Sequence, residues 1–259
     1  VSAAILEAVN LTKKYRGLTA VQSYTLRIKP GIIHGLIGPN GAGKTTVFNM
    51  LTSLVKPTEG KVLFLGQDIT GLRPDQIARL GIARTFQNIR LFKGLTVLEN
   101  VMVAAQTHKT YGLLSTLFCL PGFLRGEREI VRQSEELLET VGLIPWKNHK
   151  AGSLSYGNQR KLEIARALAL KPKLLLLDEP AAGMNPNESA ELMNMIQTIR
   201  DTYNLSILLI EHDIPFVMKL CGHIQVMNYG QLIAEGTPGE IRSNPEVIQA
   251  YLGRSAEHA

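Results

Sequence analysis

The stretch Gly38 to Thr46 reads G-P-N-G-A-G-K-T-T and fits the phosphate-binding spacing G-x-x-x-x-G-K-[S/T] through Gly38, Gly43, Lys44 and Thr45. A triphosphate packs several negative charges into a small volume. Glycines let the backbone curl so that successive N–H groups point inward, with no Cβ in the way. A helix starting near Lys44 adds the positive end of its dipole. Lys44 reaches the outer phosphates as a point charge, and the Thr45 hydroxyl is a ligand for Mg²⁺.

A second group of chemistry-bearing residues follows the run Leu174-Leu175-Leu176-Leu177. Four apolar residues in a row read as a strand buried on both faces. Asp178 and Glu179 sit at its end, the first placed to hold Mg²⁺ through water and the second to polarise an attacking water. His212 follows the apolar run Ser206 to Ile210 and shares the same sheet edge, where a γ-phosphate contact fits; elsewhere such a histidine is a structural one. Gln87 ends the strand read at Ile82 to Phe86; a lone glutamine there is most often an ordinary strand-end residue, but strand ends are also where ligands sit in α/β sheets. Tyr15 reads equally as an aromatic that stacks on an adenine ring and as a turn residue half-packed on the surface. Ser155, Tyr156 and Gly157 lie in a Ser/Gly-rich opening to a helix, which taken alone is a helix cap.

These residues need a scaffold of alternating strands and helices. Residues 4 to 37 read as three strands, the last of them Ile32 to Ile37, and Val47, Phe48, Met50, Leu51 and Leu54 recur at helical spacing after the loop. Lys61 to Leu65 reads as a strand and Pro74 to Leu80 as a short helix. From Leu91 the pattern turns helical; Val97, Val101 and Ala105 share a face, and Thr96 with Glu99 has the form of a capping box. Residues 110 to 124 are apolar and broken by Pro121-Gly122; they read as a helical hairpin packed on its own subdomain or as a patch for a partner. Arg125 to Val141 reads as a charged amphipathic helix, and Arg160 to Leu168 as a helix. Ile224 to Tyr229 and Leu232 to Glu235 read as strands joined at Gly230. Two helix starts with Pro at the first position, Pro238 and Pro245, close the chain.

The chain has 259 residues, 45% of them hydrophobic, with a formal net charge of +6. That length suits one large α/β domain or two small ones. There is no run of about 18 apolar residues, so no membrane-spanning helix is expected. The first residues alternate like a strand and do not resemble a signal peptide. Cys119 and Cys221 have no metal-ligand spacing and read as packing residues, which fits a reducing, cytoplasmic setting. A positive balance suits a nucleic-acid partner or an anionic membrane surface; scattered and without a basic run, it reads better as a solvated surface plus a nucleotide site.

The ordered set GPNGAGKTT, Gln87, LSYGNQ, LLLLDEP and His212 resembles the ATP-binding cassette (ABC) family over nearly the whole chain. RTFQNIRLF, LSYGNQRKLEIARAL, DEPAAGMNP and EGTPGEIRSNPEVIQAYLG are similar to one of the two ATPase subunits of the branched-chain amino acid importers, and the apolar stretch at 110 to 124 suits the longer of the two. The resemblance implies a single cassette over residues 1–259. It consists of a phosphate-loop core of mostly parallel sheet with an antiparallel β subdomain (1–90 and 166–235), an inserted helical subdomain (91–165) and a helical tail (236–259). It implies ATP and Mg²⁺ as cofactors. Gly38, Pro39, Asn40, Gly41, Ala42, Gly43, Lys44, Thr45 and Thr46 would hold the phosphates, and Tyr15 the adenine. Thr45, Gln87 and Asp178 would serve the metal, with Glu179 as general base and His212 at the γ-phosphate. Ser155, Tyr156 and Gly157 would bind ATP held by an opposite cassette, since such cassettes close head to tail.

The partners implied are a sister ATPase in a heterodimer (a homodimer being the alternative in vitro), two membrane permease subunits and, indirectly, an extracytoplasmic solute-binding protein. The implied location is the cytoplasmic face of the plasma membrane. Two positions depart from the common pattern: Tyr156 stands where most cassettes have glycine, and Asn185 where many have aspartate. The second bears on communication between the two sites. Cassettes that act on nucleic acid carry a long coiled-coil insertion or two cassettes in one chain. This chain has neither, so no nucleic-acid partner is expected. Another cargo, such as urea, amides, other amino acids or an exported lipid, is the alternative reading within the same family.

Overall fold

The computed structural model describes residues 4–108 and 121–252. The chain opens with two strands, Leu6–Tyr15 (β1) and Leu18–Ile28 (β2). Arg16 and Gly17 join them at φ of 41° and 93°, the positive values a two-residue hairpin turn demands. Ile33–Ile37 (β3) runs into the phosphate loop, and Lys44–Leu51 (α1) leaves it. Glu59–Phe64 (β4) and Gln67–Asp68 (β5) return to the first hairpin, then Pro74–Leu80 (α2) and Ile82–Arg84 (β6) follow. A helical stretch comes next: Val97–Ala105 (α3), Pro121–Thr140 (α4) and Tyr156–Leu168 (α5). The rest alternates: Leu174–Asp178 (β7), Pro186–Tyr203 (α6), Ser206–Ile210 (β8), Ile214–Leu220 (α7), His223–Asn228 (β9), Gln231–Gly236 (β10), Pro238–Ser243 (α8) and Pro245–Leu252 (α9).

Two sheets result. β2-β1-β4-β5 is four-stranded and antiparallel. β10-β9-β3-β8-β7-β6 is six-stranded, and only the β10–β9 pair in it is antiparallel. Because β3, β8, β7 and β6 run parallel, their carboxyl ends share one edge. That edge collects the phosphate loop, His212, Glu179 and Gln87, as ligand sites in such sheets do.

The leucine run explains how the sheet is held. Side chains alternate across a strand, so Leu175 and Leu177 enter one apolar cluster and Leu174 and Leu176 another. Ile207 and Leu209 join the first cluster, with the helices; Leu208, Ile210 and Leu36 join the second, with α1 and the antiparallel sheet. A strand buried on both faces has no polar face to show, hence four leucines in succession. Helices α3, α4 and α5 pack on one another against the first cluster.

Most elements lie where the periodicity predicts. Thr96 and Glu99 form the expected capping box, with Glu99 N donating to Thr96 Oγ1 at 3.1 Å and Thr96 N donating to Glu99 Oε2 at 2.7 Å. The strand read as Ile82 to Phe86 is shorter: it ends at Arg84, after which Thr85 N makes one more bond to Leu176 O at 2.9 Å and the chain leaves the sheet. The helix read from Arg125 starts at Pro121. Helices α6 and α7 had no counterpart in the sequence reading. Both carry start signals, Asn185-Pro186 with Glu188 and Asp213-Ile214-Pro215, in which Asn185 and Asp213 accept main-chain N–H bonds as N-caps. Most of the apolar stretch 110–124, and Cys119 within it, lies outside the described residues. Cys221 is buried, and burial pushes its thiol up to about 12.

Candidate nucleotide site

The phosphate loop is built almost wholly from main chain. Gly38, Gly41 and Gly43 have φ of 150°, 79° and 103°. A Cβ on Gly38 would fall 2.1 Å from Met227 O, and one on Gly43 2.7 Å from Ala20 O. The loop closes on itself through Ala42 N to Pro39 O at 3.1 Å, and Gly230 N braces it from the β9–β10 turn by donating to Ala42 O at 3.0 Å. Lys44 is buried, and its Nζ donates to Gly38 O at 2.6 Å and Pro39 O at 3.0 Å. The ammonium is thereby held inside the curl of the loop, at the N-terminus of α1, where helix dipole and charge add.

A cleft of about 670 Å³ opens over this loop. Asn40 to Thr46 line one side; Gln87, Glu179 and His212 line another; Leu18, Thr19, Ala20, Tyr229 and Gly230 complete it. The structure thus brings together seven consecutive loop residues and three side chains from the segments that follow three different strands. Glu179 has φ of 46°, a conformation that costs a non-glycine residue about 1–2 kcal/mol. It is compensated by Glu179 N donating to Ile210 O at 2.9 Å, which extends the sheet by one residue and aims the carboxylate into the cleft. Gln87 Nε2 donates to Glu179 Oε2 at 3.0 Å, and His212 Nδ1 lies 3.7 Å from the same oxygen. A carboxylate oriented by an amide and flanked by an imidazole, facing a phosphate-binding loop, can take a proton from water.

Two supporting charges were not anticipated from the sequence. Glu211 is fully buried, and burial pushes its carboxyl above the usual range. It accepts Ala181 N at 2.8 Å and His212 N at 3.0 Å, so it ties the turn after β7 to the turn after β8. Arg84, at the end of β6, donates to Asp178 Oδ2 at 2.7 Å, Asn49 Oδ1 at 2.8 Å and Thr52 Oγ1 at 3.1 Å. One guanidinium therefore fixes the Asp178 carboxylate against α1. Long-range pairs of this kind leave no local spacing by which to find them.

The remaining candidates lie elsewhere. Asp178 is buried and does not line the cleft, nor do Gly38 and Pro39, whose carbonyls accept from Lys44 Nζ. Tyr15 sits at the β1–β2 turn opposite Leu18, which does line the cleft; its ring is exposed with Lys13 Nζ 4.9 Å from its centre. Tyr229, at φ of 44° and exposed in the cleft wall, is a second aromatic that the sequence reading passed over. Ser155 caps α5, accepting Asn158 N at 3.3 Å, and Tyr156 beside it is exposed; neither they nor Gly157 belong to the cleft. The Asn185 side chain is occupied as the cap of α6, accepting Asn187 N and Glu188 N at 3.0 Å each.

The oxygens that reach the cleft, from Thr45, Gln87 and Glu179, are hard ligands of the kind Mg²⁺ takes. Among the described residues no group of three or more His, Cys, Asp or Glu is placed to cage a metal. A nucleotide-bound Mg²⁺ needs only one or two protein ligands, because phosphates and water supply the rest. Among the same residues no helix is long and apolar enough to cross a membrane.

Comparison with known proteins agrees with this geometry. The family model described as ABC transporter matches residues 21–182, and one described as branched-chain amino acid ATP-binding cassette transporter matches residues 231–257. The high-affinity branched-chain amino acid transport ATP-binding protein BraF of Pseudomonas aeruginosa is 48% identical over 98% of this chain and all of its own length. Its counterpart LivG of Escherichia coli K12 is 47% identical over the same shares. Among solved structures, the ADP conformation of MJ1267, an ATP-binding cassette of an ABC transporter, is 33% identical, covers 97% of this chain and all of its own, and superposes with a TM-score of 0.85. A loop, sheet edge and cleft of this kind, matched by the family model and by relatives of this identity over nearly full length, place the chain in the ABC transporter family as an ATP-binding cassette.

Proposed function

We propose that this chain is the ATP-hydrolysing subunit of an importer of branched-chain amino acids. The observation that carries the reading is the 48% identity to BraF over nearly all of both chains, joined to a cleft that holds phosphate-binding and proton-accepting groups face to face. Asn40 to Thr46 bind the ATP phosphates through main-chain N–H groups and Lys44. Tyr15 or Tyr229, both exposed and close to the cleft wall formed by Leu18 to Ala20, stacks on the adenine. Glu179 takes the proton of the attacking water, oriented by Gln87, while His212 contacts the γ-phosphate. Thr45, Gln87 and, through water, Asp178 would hold Mg²⁺, which when bound neutralises charge on the β- and γ-phosphates.

Such a site is mostly positioning and charge stabilisation. Ser155 and Tyr156, exposed at the head of α5 and away from the chain's own cleft, complete the site of an opposite cassette together with the buried Gly157 that follows them. ATP then joins two cassettes, and its hydrolysis removes the bridge. The assembly is a head-to-tail pair with a sister ATPase under two permease subunits at the cytoplasmic face of the membrane, supplied by a solute-binding protein outside. The three parts read from the sequence, a core with its β subdomain, a helical subdomain over 91–165 and a tail from 236, are the bodies that move.

The test is labelled leucine uptake in cells whose only copy carries Glu179→Gln, beside wild type at matched expression. Uptake should collapse while an unrelated transport system is unaffected. Unchanged leucine uptake assigns the cassette to another cargo.

A further inference from the structure

After β6 the chain leaves the sheet, and the segment 86–90 has no strand or helix to satisfy its main chain. Among the described residues its main-chain hydrogen bonds all run to side chains of α5. Arg160 Nη1 donates to Phe86 O at 2.7 Å and Arg160 Nη2 to Gln87 O at 2.7 Å. Glu163 Oε1 accepts Phe86 N at 3.3 Å and Arg90 N at 3.4 Å, and Arg166 donates to Arg90 O. Positions 160, 163 and 166 are three apart, so they share one helix face. Arg160 is wholly buried, 0% exposed, and pairs with Glu163 Oε2 at 3.0 Å. Its Nη2 also donates to Tyr156 OH at 2.9 Å.

One planar guanidinium thus holds two structures at once. On one side is the carbonyl of Gln87, whose amide touches Glu179. On the other is Tyr156 at the head of the helix offered to the opposite cassette. Arginine suits this place because its fork is rigid and can serve several acceptors in a fixed geometry; lysine offers a point charge on a flexible stem. We propose that Arg160 is a positioning residue that locks the Gln87 loop to Tyr156, so that the chain's own catalytic edge and the surface it presents in trans shift as one body. The proposal rests on the reading of Ser155 to Gly157 as a site completed in trans.

The experiment uses the full transporter complex and measures ATP turnover, which is independent of cargo. Arg160→Lys should lower kcat about tenfold, through misplacement of Gln87, and leave KM for ATP within about twofold, because it touches no phosphate-loop residue. A double-mutant cycle supplies the readout that a merely structural role would not move. With Arg160 present, Gln87→Ala and Tyr156→Phe should deviate from additivity in kcat by at least about threefold; in the Arg160→Lys background the two effects should be additive. Tyr156→Phe removes one hydroxyl from an exposed ring, so folding is not at issue in that arm. Additive effects in the presence of Arg160, a full-speed Arg160→Lys complex or a full-speed Gln87→Ala complex each overturn the proposal. Coupled effects in a complex that does not import leucine strike the cargo reading and leave this one standing; additive effects in a complex that does import leucine do the reverse.

Discussion

The phosphate loop and the Gln87 loop face each other across one cleft and are held by opposite means. The first is made of main chain: glycines at positive φ, carbonyls that cradle Lys44, and a brace from Gly230. The second is made of side chains, three from α5 gripping a segment that has no regular structure of its own. A main-chain site keeps its shape only with particular residues at fixed spacing, which suits a ligand that never changes. A side-chain site can travel with the helix that holds it, which suits a part that must report on another subunit.

The comparison can be broken most sharply within the phosphate loop itself. Gly38 and Gly41 both have positive φ, but a Cβ on Gly38 would meet Met227 O at 2.1 Å, whereas one on Gly41 would meet nothing within 4 Å. Gly38→Ala should therefore cost more than about 4 kcal/mol, as a backbone collision that cannot relax. Gly41→Ala should cost only the conformational term of about 1–2 kcal/mol. Thermal unfolding and titration with ATP analogues separate the two. Equal losses would mean that close main-chain packing does not shape the loop.

The two constructions meet at Arg84, which joins α1 to Asp178 in a pair that is 7% and 5% exposed. Removing one member leaves a buried charge uncompensated. Arg84→Met should cost about 3–5 kcal/mol, read as a fall in Tm of about 10 °C for a chain of this size. The double variant Arg84→Met/Asp178→Leu should recover most of that stability, since an apolar pair can replace a buried ion pair, while ATP turnover stays low. A double variant no more stable than the single would show that Arg84 acts through Asn49 and Thr52.

What could be read from the sequence follows the same division. Gly38 to Thr46, the buried strand Leu174 to Leu177 and the Thr96–Glu99 cap were legible because each is a local rule of spacing. Glu179 and His212 were legible because parallel strands bring their carboxyl ends to one edge. The Arg84–Asp178 pair and the grip of Arg160 on Phe86 and Gln87 span 94 and about 74 residues of chain, and no period in the sequence points from one partner to the other. Helix α6 was missed for a different reason. Its start signals are clear, yet Asn185 drew attention as a departure at the site, when its side chain is the helix cap.

The smallest effect belongs to the one polar side chain on β3. His34 is fully buried, and neither ring nitrogen has a hydrogen-bond partner. Burial, helped by His223 from β9 at a ring distance of 5.1 Å and opposed by Glu235 from β10, lowers it to about 4; its β8 neighbour in register, Leu208, is apolar. The fold therefore prefers neutral His34, while the unfolded chain protonates near pH 6.5. This stability is in place above that pH and is lost as pH falls toward 4, by about 3 kcal/mol at most. His34→Leu should erase that limb of the stability–pH curve. At pH 8 it should also match or exceed wild type by about 1–3 kcal/mol, because it removes an unpaired buried group. Chemical denaturation of both proteins between pH 4 and 8 measures the difference directly, and carboxylates common to both largely cancel in it. If β3 positions the phosphate loop by backbone pairing alone, ATP affinity is unchanged in this variant; a loss of affinity would show that a side chain helps to shape the loop after all.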